Sequence, residues 1–365
     1  MKAARPLAIS ALVVLGAVAA LGLSEIGLRI FEATSFGAPK GTVASPKALH
    51  QQTANGKRIT PNLDIVIHRH PTSLRDIRVR TNSLGLRGPE VPPHVPGELR
   101  ILVLGDSITF GDYVDEDETY PVALERRLQA ALPARTVRVI NAGGPNVGTQ
   151  DEAALLGELA PAIRPDLVLV GFYLNDGLGQ VPYPDRIEIP SWLKWSRLAQ
   201  RVTTEWARDR QRARVGTHYV WVYDFVSRKW VTDQIAYDHL VAMAKDDWGA
   251  AWREESWAPV EEGLRQMLAL GQRYGFRLAV AAFPVSIQVE SLHGDDYPQR
   301  RIRALAGSLQ IAFADMLPAL RAAHQPHLFY DQCHLTPAGN AIVADQLVGL
   351  VEHAVGAPVS ATASP

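Results

Sequence analysis

The sequence predicts an α/β protein, a three-layer α/β/α sandwich built on a parallel sheet of about five strands. Three observations predict it. The short apolar runs "RILVLG", "VRVIN", "DLVLVGFY", "RLAVAAF" and "IAFADM" have the unbroken hydrophobicity of strands buried on both faces. Helical patterns separate them: "ETYPVALERRLQAAL", "TQDEAALLGELA", "APVEEGLRQMLALGQRYG" and "QRRIRALAGSL". A chain of 365 residues that is 47% hydrophobic can bury such a core.

In chain order, residues 1–36 come first, as a transmembrane anchor or signal segment. Lys2 and Arg5 precede the uncharged run Pro6–Ser24, whose 19 residues come close to a bilayer span. The positive flank stays in the cytoplasm and sends the remainder outward. A cleavable signal peptide is the alternative, with "AVA" at 17–19 as a small-x-small cleavage site. The length of the run, and the helical character of "SEIGLRIFE" after it, favour an uncleaved anchor. The bulk of the chain is therefore expected outside the cytoplasm, anchored on the periplasmic side, or secreted if the segment is cleaved.

Residues 37–97 are rich in Pro, Gly and His and read as a membrane-proximal stalk. It contains the β-like "LDIVIH" and "IRVRT" and ends in the loop "GPEVPPHVPGE". The main domain is expected over 98–354, closing with a helix after "HLTPAGN" that has Thr336 as N-cap and Pro337 at its first position. Residues 178–256 interrupt the strand–helix rhythm at far greater length than a connection needs. All eight tryptophans lie in or just after that insertion. They are read as the core of a small helical subdomain rather than as aromatic platforms of a lid. A disordered tail is expected over 355–365.

Composition narrows the function. Lys and Arg total 37 against 38 Asp and Glu, a balance that points away from nucleic acid. A single cysteine, Cys333, excludes an intrachain disulfide framework and a Cys-rich zinc site.

Ligands of an open parallel sheet bind beyond the carboxyl ends of its strands. Gly105-Asp106-Ser107 follows the first strand, "NAGGPNVGT" the second and Asn175-Asp176 the third. Asp331 and His334 follow the last. Each has an ordinary reading alone, as a turn, a cap or a surface pair. Together they suit acyl transfer. A serine hydroxyl needs a base, which His334 supplies, and an imidazole needs an orienting acid, which Asp331 supplies three residues earlier. An oxyanion needs donors. The Ser107 backbone N–H, one from the 143–148 loop and the Asn175 side-chain amide are the candidates.

These blocks resemble those of the SGNH (GDSL-type) hydrolases. "GDSITFG" resembles the first block, "LND" the third and "DQCHLTPAGN" the last, over roughly residues 98–354. The resemblance implies a flavodoxin-like sheet, Ser107 as nucleophile, His334 and Asp331 completing the triad, and Asn175 as oxyanion donor. It also implies esterase, lipase or carbohydrate-deacetylase activity on a small acyl ester or O-acylated saccharide, with no metal or organic cofactor. This is not the G-x-S-x-G elbow, because Thr109 stands two residues after Ser107. The second block departs from "N-x-G-x-x-G". Counted from Asn141, Gly143 matches the first glycine but Asn146 occupies the second. Asn tolerates left-handed backbone angles, so Asn146 can still present a backbone donor. Gly144 or Gly148 serves in another register.

His68, His70, His239, His293, His324 and His327 have no ligand-like spacing and are expected to be solvated or structural. Asp106 is expected to order the serine turn rather than pair with Asp176 around a metal. The resulting expectation is a serine esterase. An O-acyltransferase of envelope polysaccharide and a silent envelope scaffold are the alternatives. The full set of Ser107, Asn175, Asp331 and His334 argues against the scaffold.

Overall fold

Five apolar runs form five parallel strands, β1 (Leu99–Gly105), β2 (Val137–Gly143), β3 (Leu167–Phe172), β4 (Arg277–Ala282) and β5 (Ala312–Asp315). The computed structural model describes residues 4–33, 42–43, 49–53, 56–178, 191–193, 195–203, 206, 220–323, 325 and 327–356. The sheet order is β5-β4-β3-β1-β2, the doubly wound arrangement expected of a flavodoxin-like sheet. Every residue of β1 and β3 is buried, as strands covered on both faces must be.

The helices that matter here are α1 (Ala4–Ala33), α2 (Ser107–Phe110), α3 (Tyr120–Ala131), α4 (Thr149–Ile163), α5 (Trp257–Tyr274), α6 (Tyr297–Ser308) and α7 (Pro337–Val355). Helix α3 packs with α7, and α4 with α5. Thr336 caps α7 as its sequence position predicts, its side chain accepting from Gly339 N, and Pro337 opens the helix.

Strand order puts the crevice at the carboxyl ends of β1 and its neighbours, where the chain turns to opposite sides of the sheet. There the register aligns Gly105 with both Gly143 and Gly171. A Cβ on Gly171 would lie 2.6 Å from Thr109 Oγ1, and one on Gly143 would collide with the backbone of Phe110. The three aligned glycines therefore form a flat seat on which α2 rests directly against the strand ends.

The chain forms two compact units, Met1–Thr42 with Pro182–Gly216, and Val43–Val181 with Thr217–Pro365. The stalk expected over 37–97 takes another form across its described residues. The hairpin Asp64–His68 and Ile77–Arg80 pairs antiparallel. Its Ile65, Ile77 and Val79 enclose Phe110 together with Leu63. Its period-2 alternation has one apolar face, and that face is covered by α2. The lead-in is thus built into the unit that contains Ser107.

The insertion at 178–256 is likewise divided between the units rather than forming one subdomain. Its second half follows the core reading. Trp221, Trp230, Trp248 and Trp257 are buried, with Trp221 and Trp248 in an edge contact at 5.6 Å. Trp192, Trp195 and Trp206 are exposed and belong to the other unit. Most of the tail expected at 355–365 lies outside the described residues.

In the first unit, α1 continues without a break through "SEIGLRIFE". It is long and apolar enough to cross a membrane. The Glu25 carboxylate accepts hydrogen bonds from Ser196 Oγ, Arg197 N and Leu198 N.

The glycine seat makes a direct prediction. Gly143→Ala should destabilise the protein by about 1–3 kcal/mol through overpacking against α2. A lowered denaturation midpoint of the full chain checks this, and an unchanged midpoint contradicts it.

Candidate active site

Ser107 opens α2, where the chain leaves β1. Asp106 is the N-cap, its carboxylate accepting from Ile108 N at 2.8 Å. The far end of α2 is held by Arg87, which is buried. Its guanidinium donates to the carbonyls of Phe110, Gly111 and Val114. Asn141 Nδ2 donates to Thr109 O at 2.8 Å, tying α2 to β2. Thr109 Oγ1 meets Tyr120 OH at 2.7 Å, and Tyr120 N donates to Asn340 Oδ1 at 2.9 Å. Asn340 belongs to the same "DQCHLTPAGN" stretch that supplies His334, so the first and last blocks share one hydrogen-bonded frame.

Asp331 and His334 lie on a tight turn between Leu328 and Thr336. Phe329 pairs with Leu335, Tyr330 N donates to His334 O, and Thr336 N donates to Leu328 O. The turn brings His334 Nε2 to 2.9 Å from Ser107 Oγ. The other ring nitrogen, Nδ1, lies 2.8 Å from Asp331 Oδ2. Cys333 N and His334 N donate to Asp331 Oδ1. With Nδ1–H directed at the carboxylate, Nε2 is left to accept from the serine hydroxyl.

The electrostatics follow from this geometry. Burial alone would raise the Asp331 pKa, but the charge of His334 and the N–H donors outweigh it and hold the carboxyl down at about 2. Burial disfavours a charged imidazole, yet Asp331 more than compensates and lifts His334 well above its usual value. The neighbouring Cys333 thiol is pushed up to about 12 by burial and so stays protonated.

One aromatic ring covers the imidazole, and a second backs it. Tyr113 stacks on His334 with centroids 3.9 Å apart, and His70 lies 4.2 Å from Tyr113. Burial, and then the nearby His334, pull the His70 pKa down to about 4, so His70 is a neutral packing group at ordinary pH. Its structural role agrees with the expectation for the isolated histidines; its position against the site is new. Among the others, His68 makes a surface pair with Asp76, and His324 lies outside the described residues.

The sequence named three groups as possible oxyanion donors. Asn175 follows β3 in a turn that Asp176 closes by accepting from Tyr173 N. One N–H of the Asn175 amide donates to Asp247 Oδ1 at 3.3 Å, a residue of the insertion. Asn146 adopts a left-handed backbone with φ 59°, a conformation Asn tolerates better than most residues. The two alternative glycines are engaged: Gly144 N donates to Gly105 O, and Gly148 N to Asp151 Oδ2 at the start of α4. Asp106 and Asp176 each spend a carboxyl oxygen on a turn amide. Burial raises both, Asp106 to about 6, and like-charge neighbours including Glu152 raise Asp176 further. Both carboxyls hold turns; Asp106 is still mostly ionised at neutral pH, whereas Asp176 is driven toward its protonated form.

Arg87, Tyr113, His70, Asn141, Asn340 and Asp247 were not singled out as site residues from sequence. Asn141 and Asn340 lay within recognised blocks, whose asparagines could have been asked what they bond. Arg87, His70 and Asp247 sit in irregular segments where no periodicity indicates what they will touch.

Arg87→Lys replaces a fork by a point charge that cannot serve three carbonyls at once. It should cost about 1–3 kcal/mol for the acceptors left unsatisfied and lower kcat on a soluble ester. Denaturation midpoints and initial rates check it, and a variant equal to wild type in both would contradict the role given to Arg87.

Residues 103–342 match the model of the GDSL-like lipase/acylhydrolase family. Among solved structures, the chain is similar to LAE5, an alpha/beta hydrolase enzyme from the metagenome of Lake Arreo in Spain. That likeness has 15% identity and a TM-score of 0.40, covering 74% of this chain and 100% of that one. It is also similar to Axe2, an acetylxylan esterase from Geobacillus stearothermophilus, with 14% identity and a TM-score of 0.40, covering 73% of this chain and 98% of that one. No curated protein matches. The family match spans well over half of the chain, which therefore belongs to the GDSL-like lipase/acylhydrolase (SGNH) family and is an ester-hydrolysing enzyme.

Proposed function

We propose that the protein is a serine esterase working through an acyl-enzyme on Ser107, with its catalytic unit held outside the cytoplasm by α1. The observation that carries this reading is the 2.9 Å approach of His334 Nε2 to Ser107 Oγ, with Asp331 on the opposite nitrogen. Ser107 Oγ attacks the ester carbonyl carbon as its proton passes to His334 Nε2. The resulting oxyanion is received by the backbone N–H groups of Ser107 and Asn146 and by the Asn175 amide. Collapse breaks the bond to the alcohol, which leaves with the proton from His334. Water then adds to the acyl carbon by the same relay and frees Ser107. Asp331 stays ionised and keeps the imidazole in the tautomer that accepts at Nε2.

The proposed substrates are short acyl esters, among them O-acylated saccharides, the esters an exported enzyme meets at the cell envelope. The charge-free length of α1 and its basic flank support the anchored, outward placement.

The pH dependence follows from the His334 shift. The base must be neutral to take the serine proton, and Asp331 raises the pKa of its protonated form above the ordinary 6.5. Thus kcat/KM for p-nitrophenyl acetate should rise with pH through a midpoint above 6.5 and then level. Asp331→Asn removes the raising charge, so the midpoint should move down while kcat falls about 10³–10⁴-fold. Ser107→Ala should abolish both turnover and labelling by a fluorophosphonate. Turnover by the alanine variant at the wild-type rate would overturn the mechanism. Labelling without turnover, relieved by an added oligosaccharide, would redirect it to acyl transfer.

A further inference from the structure

The tryptophans divide by location. Four are buried in the unit that contains Ser107, whereas Trp192, Trp195 and Trp206 are 70%, 71% and 57% exposed. All three exposed rings belong to the compact unit of α1, and what attaches their segment to α1 is specific. Glu25 accepts from Ser196 Oγ and from the backbone N–H groups of Arg197 and Leu198. Arg29 donates both to Glu25 and to Trp195 O.

The position of that attachment along α1 is informative. The uncharged run Pro6–Ser24 ends one residue before Glu25. At about 1.5 Å per residue it spans roughly 28 Å, close to the hydrocarbon thickness of a bilayer. Glu25 and Arg29 therefore stand where α1 leaves the hydrocarbon, and the segment they hold is kept at that depth. Trp is the side chain suited to that layer, having an apolar ring that also carries one N–H donor. Arg201 is exposed on the same segment and offers a cation to lipid phosphates, and exposed Val202 adds apolar surface.

We infer that the described residues 192–193, 195–203 and 206 form a membrane-interface element. It lies in the headgroup layer of the leaflet where α1 emerges, with Trp192, Trp195 and Trp206 inserted among the lipids. The occupant of these exposed rings is the lipid surface itself. This inference rests on the reading of α1 as an uncleaved anchor.

The test uses the full chain reconstituted in vesicles of phosphatidylethanolamine and phosphatidylglycerol. The lipids are brominated either next to the headgroups or near the bilayer centre. Shallow bromines should quench roughly a third of the tryptophan emission, since three of the eight tryptophans lie in the segment. Deep bromines should quench less. The triple variant W192F/W195F/W206F should lose the shallow quenching while hydrolysing a soluble ester at the wild-type rate, which shows that it is folded. Equal quenching in the two proteins, or stronger quenching by deep bromines, would overturn the inference while α1 remains an anchor. Absence of quenching would do the same, and would assign the rings to a protein partner or a second copy. Release of the chain by alkaline carbonate would remove the anchor and the inference together.

Discussion

The hydrogen bond between Ser107 Oγ and His334 Nε2 is the interaction on which the site's organisation depends. It joins residues far apart in the chain, so its 2.9 Å length is only as good as the two turns that hold its ends. One end is fixed by the glycine seat beneath α2, by Asp106 at its start and by Arg87 at its close. The other is fixed by the Leu328–Thr336 turn, in which Asp331 accepts two backbone N–H groups as well as the imidazole. Asn340 joins the two ends through Tyr120 and Thr109. Preorganisation of this kind keeps Ser107 Oγ and His334 Nε2 in register.

Charge is partitioned around that bond. Asp331 is half-buried yet ionised because N–H donors and an imidazole surround it. Burial raises Asp106 and Asp176, Asp106 to about 6 and Asp176 further because like-charged neighbours add to the burial. The Asp331 charge therefore faces His334 on the Nδ1 side. The Tyr113 ring, stacked on His334, shields the imidazole from water on one face and strengthens the Asp331–His334 attraction.

Much of this was legible in the sequence because it follows from local patterns. Unbroken apolar runs mark doubly buried strands, as at "ILVLG", and the helix after Thr336-Pro337 begins where its cap predicts. The convergence of Ser107, Asp331 and His334 was legible because the sheet's topology brings strand ends to one edge. Asn146 was readable from its tolerance of a left-handed backbone, and φ 59° is what the loop adopts. The lead-in at 37–97 was misread because Pro, Gly and His content describes chain flexibility and says nothing of a tertiary partner. Its short alternating strands needed Phe110 of α2 to complete their apolar face. The tryptophans were grouped by proximity in sequence, whereas Glu25 draws one part of the insertion to α1. Arg87 and Asp247 act through long-range contacts, for which no periodicity exists.

The central claim is a covalent intermediate on Ser107, and rapid-quench mass spectrometry of the intact protein with p-nitrophenyl acetate tests it most directly. The account predicts a single acetyl adduct that maps to the peptide containing Ser107, accumulates before steady state and is absent from Ser107→Ala. An adduct on Cys333 or elsewhere, or turnover with no adduct on Ser107 at any time, would contradict it.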